Sequence, residues 1–212
     1  MERDIYEEDH EAFRDLVKDF VKRHVTHEAI EKWDAAGEVD RATMRAAGEA
    51  GIIGLSVPEE FGGAGMLQDY RFRAIVNEEV IAAGAGSLAG AFGIQDDLAV
   101  PYLVHMGTQE QKEKWLPRMA TGEVVGALAM TEPGAGSDLR GIKTTAKKTD
   151  GGYIVNGAKT FISSGATADL VVTFVKTGEG NRPDAFSLVL IEKGMEGFDN
   201  GKKLSKMGFH GH

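Results

Sequence analysis

The chain has 212 residues, of which 42% are hydrophobic and 27% charged, and these proportions are those of a globular protein rather than a disordered or fibrous one. With 24 basic against 33 acidic residues the net charge is −9, which excludes general nucleic-acid binding, since that requires clustered Lys and Arg. No apolar stretch approaches eighteen residues, so we expect no membrane span. The acidic N-terminus lacks the apolar core of a secretory signal and cysteine is absent, so we expect a cytoplasmic location.

The first part of the chain has helical periodicity. Apolar residues recur at three- and four-residue steps between positions 13 and 21, acidic residues precede them and basic residues follow, so we expect a helix that ends at His24. Asp40 is a suitable N-cap for a second helix that stops near Gly51. Residues 55–65 (LSVPEEFGGAG) contain the Pro and Gly that are typical of a loop.

A further helix is expected after this loop. It begins at Asp69, runs to Ala83 and continues through small residues to about His105. Thr108 with Gln111 three positions later forms a capping box, which predicts a short helix through Met119.

After Gly122 the apolar period changes to two. The strands that this pattern predicts are residues 143–149, 153–155, 158–163, 170–175 and 186–191. Two tight turns separate the first three, at residues 150–152 (DGG) and at Asn156-Gly157, a pair that type I′ hairpin turns prefer. We therefore expect an α+β protein with a helical domain over residues 1–122 and an antiparallel β domain over residues 123–212. The β domain looks incomplete at its C-terminal end.

Three patterns in the sequence resemble functional sites but favour structural interpretations. Residues 84–89 (GAGSLA) satisfy a loose dinucleotide-binding pattern, yet a helix precedes them where that pattern needs a strand, so close helix packing is preferred. The pairs His24/His27 and His210/His212 have no further ligand at a convincing spacing, so no metal site is expected. No G-x-S-x-G motif occurs, which leaves a serine hydrolase without support.

Residues 127–141 (ALAMTEPGAGSDLRG) form the most informative segment. Gly134 and Gly136 leave backbone N–H groups unshielded and Ser137 adds a hydroxyl donor, an arrangement typical of an anion site, usually for phosphate. Thr131 and the preceding peptide groups are available to a polar heterocycle. A plain β turn at Glu-Pro-Gly explains the same residues equally well, so both interpretations stay open.

Several motifs in the right order resemble those of acyl-CoA dehydrogenases. Residues 130–138 (MTEPGAGSD) are similar to the flavin-domain signature of that family, and the other similar stretches are residues 58–63 (PEEFGG), 107–112 (GTQEQK), 156–163 (NGAKTFIS) and 192–208. These stretches span nearly the whole chain. The middle region looks most like that of the long-chain members.

The resemblance implies a helical domain followed by a β domain, with FAD held noncovalently. It places the cofactor against a strand that runs from Leu128 to Thr131 and includes Met130. It also places the cofactor on Gly136 and Ser137, with Ser137 near the thioester substrate as well. The segment Phe161, Ile162 and Ser163 completes the expected contacts, with Phe161 where many members carry Trp and Ser163 where many carry Thr.

The implied reaction is α,β-dehydrogenation of fatty acyl-CoA to trans-2-enoyl-CoA, as in fatty acid β-oxidation. Electrons pass to an electron-transferring flavoprotein, and members are usually homotetramers. The family's catalytic base is a Glu in a third, helical domain beyond this chain, which therefore looks truncated. Glu132, Glu179 and Glu192 do not match the base's motif, so no catalytic residue is assigned.

Two alternatives remain open at this point. The first is a catalytically inactive fragment that binds flavin or acyl-CoA, or serves in assembly. The second is an enzyme with another electron acceptor, since acyl-CoA oxidases and some flavin monooxygenases share this framework.

Overall fold

A computed structural model describes residues 4–211 of the chain, so the first three residues and His212, the last member of the second His pair, lie outside the described part. The described residues divide into two compact units. The helical unit contains residues 4–125 together with residues 205–211, and the β unit contains Gly126–Leu204.

The helical unit contains seven α-helices within the described residues: α1 (Glu8–His24), α2 (His27–Ala36), α3 (Arg41–Glu49), α4 (Tyr70–Ala82), α5 (Gly86–Gly93), α6 (Val100–Met106) and α7 (Gln109–Ala120). A π-helical segment, Ile94–Ala99, joins α5 to α6. The expected N-caps are confirmed, since the Asp40 side chain accepts from the Thr43 amide and Thr108 and Gln111 form a reciprocal capping box. Helix α2, capped by Thr26, was not predicted.

The expected continuous helix from Asp69 to His105 is wrong in its middle. Helix α4 ends at Ala82, because Gly84 adopts φ +81° and its amide, with that of Ala85, bonds back to the last turn. The GAGSLA pattern thus follows a helix, as the sequence indicates. A Cβ on Gly86 would lie 2.6 Å from the Phe209 ring, so close packing explains this glycine.

A buried ionic cluster holds the helical unit together around Asp96, which is fully buried in the π-helical segment. Its carboxylate accepts from the amides of Gly54 at 3.0 Å and Leu55 at 3.2 Å. The guanidinium of Arg73, on α4, lies 3.3 Å from Asp96 and 2.8 Å from Asp97. One carboxylate therefore joins a loop, a helix and the π-helical segment.

The β unit contains one sheet, made of β1 (Gly126–Ala129), β2 (Thr145–Thr149), β3 (Gly152–Asn156), β4 (Leu170–Lys176) and β5 (Phe186–Glu192). Strand β4 pairs antiparallel with β5 and parallel with β1, while β2 pairs antiparallel with β3. The α+β class with a helical part followed by a β part is confirmed. The sheet is mixed rather than antiparallel, because the β2–β3 hairpin lies within the connection that returns the chain from β1 to β4 in the same direction.

The two predicted turns have different outcomes. The hairpin at residues 150–151 is confirmed, and β2 pairs with β3 in register from Thr145↔Asn156 to Thr149↔Gly152. The hairpin at Asn156-Gly157 is wrong, because residues 157–163 form no strand and bond instead to the segment that follows β1. Gly157 passes so close to Thr144 that an added Cβ would lie 2.6 Å from the Thr144 Cβ.

A candidate cofactor site at the end of strand β1

Strand β1 presents two different faces. Ala127 and Ala129 are buried and belong to an apolar cluster with Ala168 and Val171. Successive side chains alternate along a strand, so Leu128 lies on the opposite face, where it is half-buried. The small residues of β1 therefore pack on one side of the strand, and the face that carries Leu128 is only half-covered.

The chain after β1 turns back on itself between Glu132 and Ala135. The amide of Glu132 donates to the Ala135 carbonyl at 2.8 Å, and the reverse bond is 3.2 Å long. The β turn is therefore present, and the exposed residues Gly136 and Ser137 follow it. A Cβ on Gly136 would meet nothing within 4 Å, and its φ is not in the left-handed region, so internal packing does not require glycine there. The bare amides remain open to an anion.

The Glu132 carboxylate is a structural anchor. It is buried and accepts from the Lys143 amide at 2.7 Å, the Thr144 amide at 2.9 Å and the Lys159 ammonium at 3.0 Å. Burial raises the pKa of this carboxyl, but the hydrogen bonds from Thr144, Lys143 and Lys159 outweigh burial and hold the pKa at about 2. Glu132 is thus ionised and fully engaged at neutral pH.

Lys159 connects the anchor to the end of β1. Its ammonium donates to the Met130 carbonyl at 2.9 Å as well as to Glu132, and the next amide, of Thr160, donates to the Thr131 carbonyl at 2.9 Å. Burial lowers the pKa of Lys159, while the bond to Glu132 opposes that shift. These bonds place residues 159–160 beside residues 130–131, and Phe161 follows immediately.

Phe161 combines two unusual properties. Its side chain is 76% exposed, and its φ is +56°, a conformation that is strained for a bulky L-residue. Because the ring is mostly exposed, packing within the described residues does not compensate for this strain. Strain of this kind concentrates at ligand sites.

The residues after Phe161 form a compact loop. The Ile162 side chain packs on the apolar cluster of β1, whereas Ser163 is half-buried. The Gly165 amide donates to the Ile162 carbonyl at 3.0 Å, and the Asn200 side chain donates to the Gly165 carbonyl at 2.7 Å. The Ile162 side chain and carbonyl therefore both have partners within the chain.

The structure thus brings three expected residues together, Met130, Thr131 and Phe161. The hydrogen bonds from Lys159 and Thr160 to the Met130 and Thr131 carbonyls place Phe161 beside the end of β1. Sequence reasoning missed the pairing of Lys159 with Glu132, which lies at the centre of this arrangement. The signal was present as two opposite charges within the two motifs at residues 130–138 and 156–163, but a separation of 27 positions hides the contact.

Other kinds of site find no support in the described range. Among residues 4–211 there is no group of three or more His, Asp or Glu side chains placed to hold a metal ion. No helix within that range is both long enough and apolar enough to cross a bilayer.

Comparison with known families gives matches over both units. Residues 7–123 match the family described as "Acyl-CoA dehydrogenase, N-terminal domain", and residues 127–212 match "Acyl-CoA dehydrogenase, middle domain". The mouse long-chain specific acyl-CoA dehydrogenase is 41% identical over 97% of this chain and 47% of its own length. The Arabidopsis thaliana isovaleryl-CoA dehydrogenase is 39% identical over 94% of this chain and 48% of its own. The chain spans about half the length of the curated relatives it matches.

Solved structures give the same match. The acyl-CoA dehydrogenase from Geobacillus kaustophilus superimposes with a TM-score of 0.90 at 39% identity, over 99% of this chain and 55% of that one. A chain from the electron transferring flavoprotein structure of Acidaminococcus fermentans has a TM-score of 0.89 at 34% identity, over 99% of this chain and 54% of that one. An acyl-CoA dehydrogenase from Bacillus anthracis, complexed with FAD, has a TM-score of 0.86 at 32% identity, over 99% of this chain and 35% of that one.

Proposed function

Because the chain belongs to the acyl-CoA dehydrogenase family, we propose that its β unit holds FAD for α,β-dehydrogenation of fatty acyl-CoA thioesters to trans-2-enoyl-CoA. The proposal rests on the site at the end of β1 and on the FAD complex of the Bacillus anthracis relative. Bound FAD supplies the acceptor for the hydride that leaves the β-carbon of the thioester.

Seven of the eight expected site residues have a physical role in this proposal. The half-buried face that carries Leu128 and Met130 offers an apolar surface to the flavin ring, and the Phe161 ring offers an aromatic one that excludes water. The open amide of Gly136 and the exposed hydroxyl of Ser137 are suited to donate to pyrophosphate oxygens. Ser163 contributes a hydroxyl, Ile162 its backbone, and Ser137 also serves the thioester.

Removal of the α-proton requires a carboxylate that can accept it. Glu132 is unsuited, because three donors already occupy its oxygens and its pKa of about 2 makes it a weak base. We propose that Glu132 serves structure alone, and we assign no base among the described residues. Turnover therefore belongs to the whole enzyme, whereas cofactor contact belongs to this chain.

The observation that carries the proposal is the exposed, strained Phe161 bonded into place beside the end of β1. Phe161→Gly relieves the left-handed strain and removes a ring that is 76% exposed. We expect it to stabilise the chain by about 0.5–1 kcal/mol and, at the same time, to weaken FAD binding severalfold. Tyr153→Ala is the matched control, since Tyr153 is an exposed aromatic residue of the same unit on ordinary strand β3.

Both quantities are measured on the purified chain, stability by urea unfolding and FAD affinity by the flavin absorbance in a titration. Opposite effects of Phe161→Gly on stability and affinity support the assignment. Equal FAD affinity of Phe161→Gly, Tyr153→Ala and the unchanged chain contradicts it.

Four finer properties complete the proposal. We propose long-chain acyl-CoA as substrate, an electron-transferring flavoprotein as acceptor, and a homotetrameric assembly in the cytoplasm. The mouse long-chain relative supports the first, and the Acidaminococcus fermentans flavoprotein structure supports the second. Calorimetric titration with acyl-CoA of four to sixteen carbons tests the preference for long-chain substrates, because affinity should rise with acyl chain length.

The alternative is binding of flavin or acyl-CoA without turnover. It is favoured by one observation, that Glu132 is not suited to act as the base. Bleaching of the flavin absorbance by acyl-CoA in a longer FAD-loaded chain that includes the third, helical domain separates the two, since the alternative predicts that none occurs.

A further inference from the structure

The two polar groups of the peptide bond between Met130 and Thr131 differ in their hydrogen bonding. Among the described residues 4–211, no group accepts a hydrogen bond from the Thr131 amide, although Thr131 is half-buried. Most backbone N–H groups in a folded chain are paired, so this one is a candidate donor to a ligand. The carbonyl of the same peptide, on Met130, accepts from the Lys159 ammonium at 2.9 Å.

The ammonium is held rigidly at that carbonyl. Lys159 is only 10% exposed, and its second bond, 3.0 Å to Glu132, fixes it on the other side. Glu132 is positioned in turn by the amides of Lys143 and Thr144, which donate to its oxygens. A positive charge is therefore fixed beside one particular peptide group.

We propose that Lys159 is a positioning residue that polarises the Met130–Thr131 peptide, so that the Thr131 N–H becomes a charge-assisted donor to an electron-rich atom of the flavin. A cation on the carbonyl oxygen draws electron density from the peptide nitrogen and strengthens its N–H as a donor, as in hydrogen-bond chains generally. This role rests on the proposed function, but the polarisation itself is a property of the chain without FAD.

The chain without FAD provides the first test. The Thr131 amide proton is observed in a ¹H–¹⁵N spectrum of the labelled chain. Lys159→Met removes the charge and is expected to move this resonance upfield, whereas Lys159→Arg keeps the charge and is expected to restore it. Lys147→Met removes an exposed lysine of strand β2 and is the matched control, with no effect on Thr131.

FAD affinity provides the second test. Lys159→Met is expected to bind FAD roughly tenfold more weakly, the difference between a charge-assisted and an ordinary hydrogen bond. Glu132→Gln leaves the ammonium on the Met130 carbonyl but removes the compensating negative charge. It is expected to move the Thr131 proton downfield.

These variants separate polarisation from mere support of the fold. If Lys159 only holds the two segments together, removal of the Glu132 charge leaves the Thr131 proton unmoved, and the proposal is overturned. A folded Lys159→Met with an unmoved Thr131 proton also overturns it. Should Lys159→Met not fold, the downfield shift in Glu132→Gln decides alone. If the unchanged chain does not bind FAD, the proposed function fails, while the proton shifts still test the polarisation.

Discussion

Replacement of Asp96 by Ala perturbs a fully buried polar group of the helical unit. The carboxylate is fully buried and accepts from the amides of Gly54 and Leu55 while it pairs with Arg73. Alanine leaves two amides without an acceptor and a guanidinium with one carboxylate fewer. Asp97, at 2.8 Å from Arg73, retains part of the charge compensation.

The expected loss can be estimated from these contacts. Each buried amide left unpaired costs about 1–3 kcal/mol, and breaking a buried ion pair from one side costs about 3–5 kcal/mol. The contributions overlap, since they come from one carboxylate, and Asp97 limits the second. We therefore expect Asp96→Ala to lower the free energy of unfolding by about 4 kcal/mol, a large share of the 5–15 kcal/mol typical of a domain.

Tryptophan fluorescence during urea unfolding measures this loss of stability in the helical unit. Both tryptophans, Trp33 and Trp115, belong to the helical unit, so the signal reports on that unit. With a urea dependence of about 2 kcal/mol per molar, the midpoint should fall by about 2 M. Asp15→Ala is the control, because Asp15 is 81% exposed and its ion pair with Lys18 contributes little. A loss below about 1 kcal/mol for Asp96→Ala would refute the assignment of this cluster as a structural anchor.

Three further predictions concern the β unit. Ser137→Ala should weaken FAD binding about fivefold, the value of one hydrogen bond, and unchanged flavin retention after gel filtration would exclude this contact. The Glu132 pKa falls from 4.5 to about 2 on folding, so its ionised form contributes stability that is complete above pH 4.5 and is lost as the pH falls towards 2. The stability difference between the chain and Glu132→Gln, measured by circular dichroism, should shrink over that range, and a constant difference would contradict the shift. Gly157→Ala should destabilise by about 2 kcal/mol in urea unfolding, because its Cβ would lie 2.6 Å from the Thr144 Cβ, and no change would show that Thr144 moves aside freely.

The sequence predicts those parts of the fold that depend on local signals. The N-caps Asp40 and Thr108 and the turn at residues 150–151 are determined by a few adjacent residues, and the structure confirms all three. The break at Gly84 was missed because small apolar residues suit both a helix interior and a helix end. The parallel pairing of β1 with β4 could not be predicted, since strand order depends on contacts far apart in the chain.

The candidate site was predicted in part for the same reason. The motifs at residues 130–138 and 156–163 identify the segments, but the bonds that join them do not follow from either motif. Asn156-Gly157 has the local signal of a hairpin, yet Lys159 finds a stronger partner in the buried Glu132. The strained φ of Phe161 is likewise a consequence of the tertiary contacts on either side of it. The cytoplasmic location and the tetramer stay predictions.

The proposal that the end of β1 and residues 159–163 contact FAD is tested most directly by mapping the cofactor on the chain. A ¹H–¹⁵N spectrum of the labelled chain is recorded while FAD is added up to about 1 mM, which detects even weak binding. We predict that the largest shifts occur at the amides of Thr131, Gly136, Ser137 and Phe161. Shifts confined to residues 84–89 of the helical unit, or no shifts at all, would contradict the proposed site.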